Sequence, residues 1–195
     1  MSSNLDGIQT FHAMILNGVS GGLNDACDND AAMMYARLCD NEISNSIVNR
    51  NNIHPFSYNN DSSSTSVSDV NRMINQSFKE TDDDISLFYY TGHSTWDGNS
   101  AENYGITLGN GYYRWADLSN YLSKNIRGKI VVIMDSCFSG NFINNGLNAL
   151  TSKDRERFSV ITSCSSVQES SLKEKNLYFT ILIIMGAFHI TWVKV

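Results

Sequence analysis

Few cysteines and few basic residues occur in this sequence, and each shortage excludes a class of protein. The four cysteines show neither the spacing of zinc ligands nor the density of a disulfide-stabilised fold. Reduced thiols favour a cytoplasmic location. Residues 1–7 carry no basic segment, so we expect no signal peptide in this sequence. A secreted protein whose signal peptide has been removed is the alternative. With a net charge of −6, the chain offers no basic surface for nucleic acid or anionic lipid.

The sequence also lacks the features of a membrane span, of a nucleotide-binding loop and of a metal site. The most apolar segment, residues 177–193, is shorter than the roughly 20 residues of a membrane-spanning helix and contains polar residues. The absence of a glycine-rich loop with Lys-Ser or Lys-Thr disfavours a flavodoxin-like or other nucleotide-binding sandwich. The aspartates of residues 81–84 lack the spacing of a calcium loop, and only Asp97 and Glu102 follow closely after His93. We therefore expect no membrane span, no metal and no cofactor, and nothing supports a dependence on calcium.

Strand and helix patterns alternate along the 195 residues, which predicts a single α/β domain. Apolar runs predict strands at Phe11–Val19, at Ile53–Tyr58, from Ile85 onward, at Ile130–Met134 and at Phe158–Thr162, with a hairpin of Ile106–Leu108 and Tyr112–Arg114. Helical spacing predicts four helices. The first follows caps at Asp28–Asp30 and carries Ala32, Met33, Ala36 and Leu38. The second carries Val70, Met73, Ile74 and Phe78, the third carries Leu118, Leu122 and Ile126, and the fourth lies at Tyr178–Gly186. Pro55 assigns its strand to a sheet edge, and His189–Val195 supplies a last strand unless the chain is truncated. The expected architecture is a three-layer α/β/α sandwich around a mainly parallel sheet.

Two of the predicted strands end at residues that carry chemistry. The apolar run Ile130–Met134 is typical of a strand buried on both faces of a parallel sheet, and it stops at Asp135-Ser-Cys137. The run from Ile85 ends at Thr91-Gly-His93. Since ligands bind at the carboxyl ends of strands in open α/β sheets, adjacent parallel strands would bring His93 and Cys137 to one edge. For Cys137 alone, a buried structural cysteine is the alternative.

The segments Tyr90-Thr-Gly-His-Ser94 and Asp135-Ser-Cys-Phe-Ser-Gly140 resemble the paired signatures of caspase-like cysteine peptidases. They are more similar to metacaspases and bacterial orthocaspases than to animal caspases. The resemblance extends in order from about Ile8 to Thr180. It implies the caspase-like α/β sandwich, with residues 1–150 similar to a large subunit and residues 151–195 similar to a small subunit, complete or truncated.

The resemblance also implies a catalytic dyad. Cys137 would attack the scissile carbonyl, because a thiolate is strongly nucleophilic, and His93 would act as general acid and base near neutral pH. The backbone N–H groups of Cys137 and Gly92 would bind the oxyanion, since a glycine lets the backbone approach a ligand closely. His12, His54 and His189 lack this context and are not expected to be catalytic.

Acidic residues predict the substrate preference. Animal caspases carry Gln two residues before the nucleophile, whereas this chain has Asp135, as metacaspases do. Cys27-Asp-Asn-Asp30-Ala31 resembles a Cys-x-x-Asp-Ala segment of metacaspases. By that resemblance Asp30 and Asp135 line the pocket for the substrate's P1 side chain, with Thr91 and Cys27 as further candidates. The alternative for Asp30 is a residue favoured by the helix dipole. Two carboxylates attract arginine or lysine and repel aspartate, so the expected partner is a peptide or protein with a basic P1 residue.

Residues 141–157 are polar and long for a connection, and we predict a mobile loop without regular structure. Lys153, Arg155 and Arg157 are residue types that the pocket would accept, and exposed loops are preferred sites of nicking. Self-cleavage at this segment is therefore expected. A solvated charged turn is the alternative.

The leading interpretation is a cysteine endopeptidase that cuts after arginine or lysine. A clan relative that prefers asparagine or aspartate at P1 is the nearest alternative. From a different class comes a catalytically silent caspase-like module that binds a peptide or partner, which the intact His93 and Cys137 disfavour. The sequence leaves the oligomeric state open.

Overall fold

Strands and helices alternate along the chain, as in α/β proteins. A computed structural model describes residues 11–18, 24–39, 50–57, 65–78, 85–95, 105–109 and 111–167. Its strands are β1 (Phe11–Gly18), β2 (Ile53–Ser57), β3 (Ile85–Gly92), β4 (Ser94–Thr95), β5 (Gly105–Leu108), β6 (Gly111–Arg114), β7 (Lys129–Asp135) and β8 (Phe158–Thr162). Its α-helices are α1 (Asn24–Leu38), α2 (Val67–Ser77), α3 (Trp115–Asn125) and α4 (Ser152–Arg155), with a π-helix at Phe142–Gly146 and 3-10 turns at Arg50–Asn52 and Leu147–Ala149.

A five-stranded parallel sheet lies at the centre of the fold. Its strand order is β2-β1-β3-β7-β8, and every neighbouring pair is parallel. All five carboxyl ends therefore lie at one edge of the sheet. β2, which contains Pro55, is at the side of the sheet, as predicted from the missing N–H of proline. The predicted α/β fold with a mainly parallel sheet is confirmed.

The alternation of side chains along the strands divides the core into two apolar layers. One layer joins Met14 and Leu16 of β1 and Phe88 of β3 to the apolar faces of α2 and α3. The other joins Ala13 and Ile15 of β1 to the apolar face of α1. Helices thus cover both faces of the sheet, which gives the three layers.

The predicted apolar face of α1 is wrong. The helix begins at Asn24, so the aspartates at 28 and 30 lie inside it and do not cap it. Its buried side chains follow the spacing 4, 3, 4: Cys27, Ala31, Met34 and Leu38. The predicted Ala32, Met33 and Ala36 are exposed instead, because the face that meets the sheet starts at Cys27, one turn before the predicted start.

α2 and α3 lie where helices were predicted, except that the predicted helical residues Phe78 and Ile126 are buried just after the helix ends. Ser66 caps α2, because its hydroxyl accepts a hydrogen bond from the Asp69 backbone N–H while the Asp69 carboxylate accepts one from the Ser66 backbone N–H. The predicted face of α2 is buried at Val70 and Ile74. α3 buries Leu118 and Leu122, and it ends before β7.

A three-stranded antiparallel sheet follows the histidine segment. Its order is β4-β5-β6, and β5 and β6 form the predicted hairpin. The hairpin packs against the central domain through Tyr113, whose hydroxyl donates to the Asn71 side chain of α2 at 2.6 Å.

Residues 141–157 are not the unstructured loop predicted for them. They form the π-helix, a 3-10 turn and α4. The polar composition of this segment did not indicate two residues that stabilise it. Phe142 is fully buried and meets the ring of Trp115 edge-on at a centroid distance of 6.0 Å. Thr151 caps α4 by accepting a hydrogen bond from the Asp154 backbone N–H.

Several predictions concern residues outside the described ranges, namely the helix at Tyr178–Gly186 and the last strand at His189–Val195. Within the described ranges, no helix combines the length and the apolar character that a membrane crossing requires.

Candidate active site

The two predicted dyad residues follow neighbouring strands at the carboxyl edge of the sheet. β3 pairs with β7 in a register that places Thr91 beside Asp135. His93 comes one residue after β3, and Cys137 comes two residues after β7. Both residues are partly exposed to solvent.

A hydrogen bond joins the histidine segment to the cysteine segment. The hydroxyl of Ser94, the residue after His93, donates to the backbone carbonyl of Cys137. Ser94 is buried, which shields this hydrogen bond from competition with water. The contact holds the turn that carries His93 against the turn that carries Cys137.

The backbone of His93 is held from its own side of the sheet as well. Its carbonyl accepts hydrogen bonds from the buried Tyr90 hydroxyl at 2.5 Å and from the Thr107 N–H at 2.9 Å. Tyr90 belongs to β3 and Thr107 to β5. The backbone of His93 is thus fixed between the parallel sheet and the hairpin sheet.

The turn after Cys137 contains the one residue other than glycine with a positive φ among the described residues. Phe138 has φ 53°, a left-handed conformation that costs a side-chain-bearing residue on the order of 1 kcal/mol. Its carbonyl accepts hydrogen bonds from the backbone N–H and the side-chain amide of Asn141, at 3.0 and 3.1 Å. These bonds stabilise a sharp turn at the end of a central strand.

The residues after β8 hold the cysteine turn from the other side. Gly140 N–H donates to the Cys164 carbonyl at 3.0 Å, and Cys164 N–H donates to the Ser139 hydroxyl at 3.2 Å. The Asn141 amide also donates to the Ser166 carbonyl at 2.7 Å. The cysteine turn is therefore fixed on both flanks, by Ser94 and by residues 164–166.

Acidic and polar residues gather on the α1 side of the same sheet edge. Thr91 and Asp135 lie there on β3 and β7, and the Thr91 side chain forms a hydrogen bond with the Cys27 thiol of α1. Asp28, Asp30 and Asp135 all act electrostatically on that thiol. The structure thus brings together every residue predicted for the P1 pocket. We call these residues, together with Asn17 of β1, the acidic cluster: Asn17, Cys27, Asp28, Asp30, Thr91 and Asp135.

Burial, together with the charges of the acidic cluster, keeps the Cys27 thiol and the Tyr89 phenol protonated. Burial raises the pKa of Cys27, and the charges of Asp30, Asp135 and Asp28 raise it further, while the hydrogen bond with Thr91 lowers it. Burial likewise raises the pKa of Tyr89, helped by Asp135 and Asp30. Cys27 is therefore a neutral thiol that lines the cluster and is unsuited to act as the nucleophile.

The three basic residues predicted for self-cleavage differ in their exposure and in their hydrogen bonds. Lys153 and Arg155 are exposed on α4, although Arg155 donates to the Leu150 carbonyl at 3.3 Å. Arg157 is partly buried at the C-terminal end of α3. Its guanidinium donates to the carbonyls of Ile126 at 2.5 Å, Arg127 at 2.8 Å and Ser123 at 2.6 Å.

Sequence patterns gave no role at the site to Asn17, Asp28, Tyr90, Ser94 or Asn141, although Tyr90 and Ser94 bound the histidine motif and Asp28 was predicted to cap a helix. A signal for Asn17 was present, since a polar residue ends an apolar strand there as Thr91 and Asp135 do on their strands. The roles of Tyr90 and Ser94 depend on which carbonyl their hydroxyls meet, which no spacing indicates. Among the described residues, no three His, Cys, Asp or Glu side chains are grouped closely enough to hold a metal ion.

Comparison with known proteins gives the fold and no function. No protein-family model and no curated protein matches this chain. The crystal structure of Raptor from Chaetomium thermophilum is similar, with a TM-score of 0.51 and 12% sequence identity. The similarity covers 84% of this chain and 16% of the Raptor chain. At this identity the likeness supports the α/β fold alone, because one fold hosts many functions.

Proposed function

We propose that this protein is a cysteine endopeptidase that hydrolyses peptide bonds after arginine or lysine, with Cys137 and His93 as its dyad. The observation that carries the proposal is the hydrogen bond from the Ser94 hydroxyl to the Cys137 carbonyl. It ties the histidine turn to the cysteine turn at the sheet edge where α/β proteins bind their ligands. A structural cysteine would need neither this tie nor partial exposure.

The arrangement supports a two-step acyl transfer. His93 takes the proton of the Cys137 thiol, and the sulfur attacks the scissile carbonyl carbon. The oxygen of the tetrahedral intermediate is stabilised by the backbone N–H groups of Gly92 and Cys137. His93 then gives its proton to the leaving amine, and a water molecule, activated by the same histidine, hydrolyses the thioester.

The acidic cluster supports the preference for a basic P1 residue. Asp30 and Asp135 supply two negative charges beside the dyad, and Thr91 and Cys27 supply neutral polar walls. Carboxylates bind guanidinium and ammonium groups through charge-assisted hydrogen bonds. An aspartate at P1 would be repelled by the same charges.

Fluorogenic peptides that end in arginine, lysine, asparagine or aspartate test this proposal. We expect cleavage of the first two, and a loss of about 100-fold to 10,000-fold in kcat for His93→Ala, the usual contribution of a general acid–base. Cys137→Ala should abolish cleavage. Cys164→Ala is the matched control, because it removes the other partly exposed cysteine, and it should retain more activity than Cys137→Ala.

Three results would contradict the proposal. Full activity in the Cys137→Ala protein would exclude the dyad. Efficient cleavage after aspartate or asparagine would exclude the basic P1 preference and favour the clan relative with another specificity. Binding of basic peptides without any cleavage would favour the silent binding module.

A further inference from the structure

The carboxyl edge of the sheet carries a row of polar side chains that meets α1. Asn17 of β1 is paired in register with Thr91 of β3, and Thr91 is paired with Asp135 of β7. These three residues occupy the same face as Ile15, the face that α1 covers. Each of the three therefore lies opposite the first turns of α1, where Cys27 contacts Thr91.

Asn17 binds a carboxylate that the P1 site described above does not use. Its side-chain amide nitrogen donates to Asp28 Oδ1 at 2.5 Å, a short charge-assisted hydrogen bond. Asn17 is 1% exposed, and its Oδ1 atom accepts no hydrogen bond from the part of the chain that the structure describes. The hydrogen bond from Asn17 fixes the Asp28 carboxylate beside β1.

The position of Asp28 complements that of the other two acids. Asp28 and Asp30 are two residues apart on α1, so they project on opposite sides of Cys27. Asp28 lies on the β1 side, where Asn17 holds it, and its side chain is exposed to solvent. All three carboxylates act electrostatically on the Cys27 thiol, so each lies on the same side of the sheet as that thiol.

We propose that Asp28 is a third carboxylate of the P1 site, positioned by Asn17, and that it makes the site select arginine over lysine. This inference rests on the proposed function. A guanidinium presents five N–H donors in a plane and can bind carboxylates on two sides at once. The ammonium of lysine is a compact charge with three donors, and it gains less from a carboxylate on the far side of the site.

The alternative role for Asn17 and Asp28 is a structural tie between β1 and α1. Two variants separate the roles. Asp28→Asn keeps an oxygen that can accept the hydrogen bond from Asn17 and removes only the charge. Asn17→Leu keeps the charge and removes the donor that orients it. Glu156→Gln is the control, because it makes the same charge change on an exposed residue before the amino end of β8, at the opposite end of the sheet.

Steady-state kinetics on peptides that end in arginine, lysine or citrulline give the readout. In Asp28→Asn, we expect kcat/KM for the arginine peptide to fall about tenfold, mostly through KM, as for the loss of one nearby charge in a partly exposed site. The ratio of kcat/KM for the arginine peptide to kcat/KM for the lysine peptide should also fall. For the neutral citrulline peptide, kcat/KM of Asp28→Asn should equal that of the wild type. Asn17→Leu should shift the ratio in the same direction, and Glu156→Gln should leave it unchanged.

Calorimetric titration with agmatine, which carries the guanidinium of arginine without a peptide bond, separates this inference from the proposed function. If wild-type protein cleaves arginine peptides and Asp28→Asn has the same arginine-to-lysine ratio of kcat/KM as Glu156→Gln, the inference is overturned while the proposed peptidase function is supported. If no peptide is cleaved but agmatine binds and Asp28→Asn weakens it about tenfold, the third carboxylate is supported and the peptidase fails. Equal agmatine binding by wild type and Asp28→Asn overturns the inference in either case.

Discussion

Replacement of Gly92 by alanine tests how tightly the histidine turn is built. Gly92 has φ 154°, a conformation that costs a residue with a Cβ on the order of 1–3 kcal/mol. A Cβ on Gly92 would also lie 2.6 Å from the Gly18 carbonyl oxygen and 2.6 Å from the Tyr90 hydroxyl. Relief of such contacts costs roughly another 1–3 kcal/mol. The expected loss in the free energy of unfolding is therefore about 2–6 kcal/mol.

Gly111 provides a matched control for the backbone term. It has φ 142°, and a Cβ there would meet no atom within 4 Å. Gly111→Ala should thus lose only the conformational part, about 1–3 kcal/mol. Urea unfolding of both variants at the same pH gives the two values, and their difference measures the crowding around the histidine turn.

The activity of the two variants should separate more widely than their stabilities. A shift at Gly92 moves the proposed oxyanion donor and the hydroxyl that binds the His93 carbonyl, whereas Gly111 lies in the hairpin at the start of β6. We expect Gly92→Ala to lose most of its peptidase activity and Gly111→Ala to keep most of it. If the two variants are equally stable and equally active, the tight approach of β1, β3 and the Tyr90 hydroxyl is not what fixes this turn.

Three further predictions concern the remaining structure. Arg157→Gln should lower the free energy of unfolding in urea by about 2–4 kcal/mol, because it removes the donor to several carbonyls at the end of α3. Arg155→Gln should lower it by no more than about 1 kcal/mol. Equal losses would contradict the capping role of Arg157. Hydrogen bonds from Ser66 and Arg72 lower the pKa of Asp69 to about 2, so its contribution to stability is complete above about pH 4 and is lost as the pH falls toward 2. The free energy of unfolding should consequently change less between these pH values in Asp69→Asn than in the wild type, and parallel curves would refute this. We expect any self-cleavage to occur after the exposed Lys153 or Arg155 rather than after the engaged Arg157, and a first cut after Arg157 in mass spectrometry would contradict it.

The sheet was predictable because its strands are unusually apolar. Runs such as Ile130–Met134 favour burial on both faces of a sheet, and this is the setting of strands in parallel sheets. The hydrophobic spacing of α2 and the caps on its first turn agree with each other, and that helix was predicted correctly. Short-range patterns suffice where one signal dominates.

The errors occurred where the apolar signal was weak. α1 has many small and acidic residues, so the face that starts at Cys27 could not be told from the face of Met33 without the sheet to pack against. Residues 141–157 have the polar composition of a loop, yet one buried ring, Phe142, packs the π-helix against α3. Tertiary contacts such as the pairing of this ring with Trp115 and the hydrogen bond from the Ser119 hydroxyl to the Gly146 carbonyl overrode the local preference there.

The candidate site divides in the same way. His93, Cys137 and the acids of the P1 pocket stand at strand ends or in a short motif, and these positions can be recognised from the order of residues. Ser94 and Asn17 act through bonds to partners 43 and 11 residues away, and only the pairing of β3 with β7 and the packing of α1 on the sheet make those partners neighbours. Side-chain hydrogen bonds of this kind follow from the fold and cannot precede it.

The bonds between the cysteine turn and residues 163–166 have a consequence for a chain that is cut. β8 is paired with β7 along its whole length, and Ser163 N–H donates to the Met134 carbonyl at 3.0 Å. The hydrogen bonds of Gly140 and Asn141 to the Cys164 and Ser166 carbonyls add to this surface. Two fragments divided between Lys153 and Asp154 would therefore share a ready-made sheet border and should co-purify as a complex. Expressed from separate genes, they are expected to reassemble by complementation and restore the turn that carries the thiol.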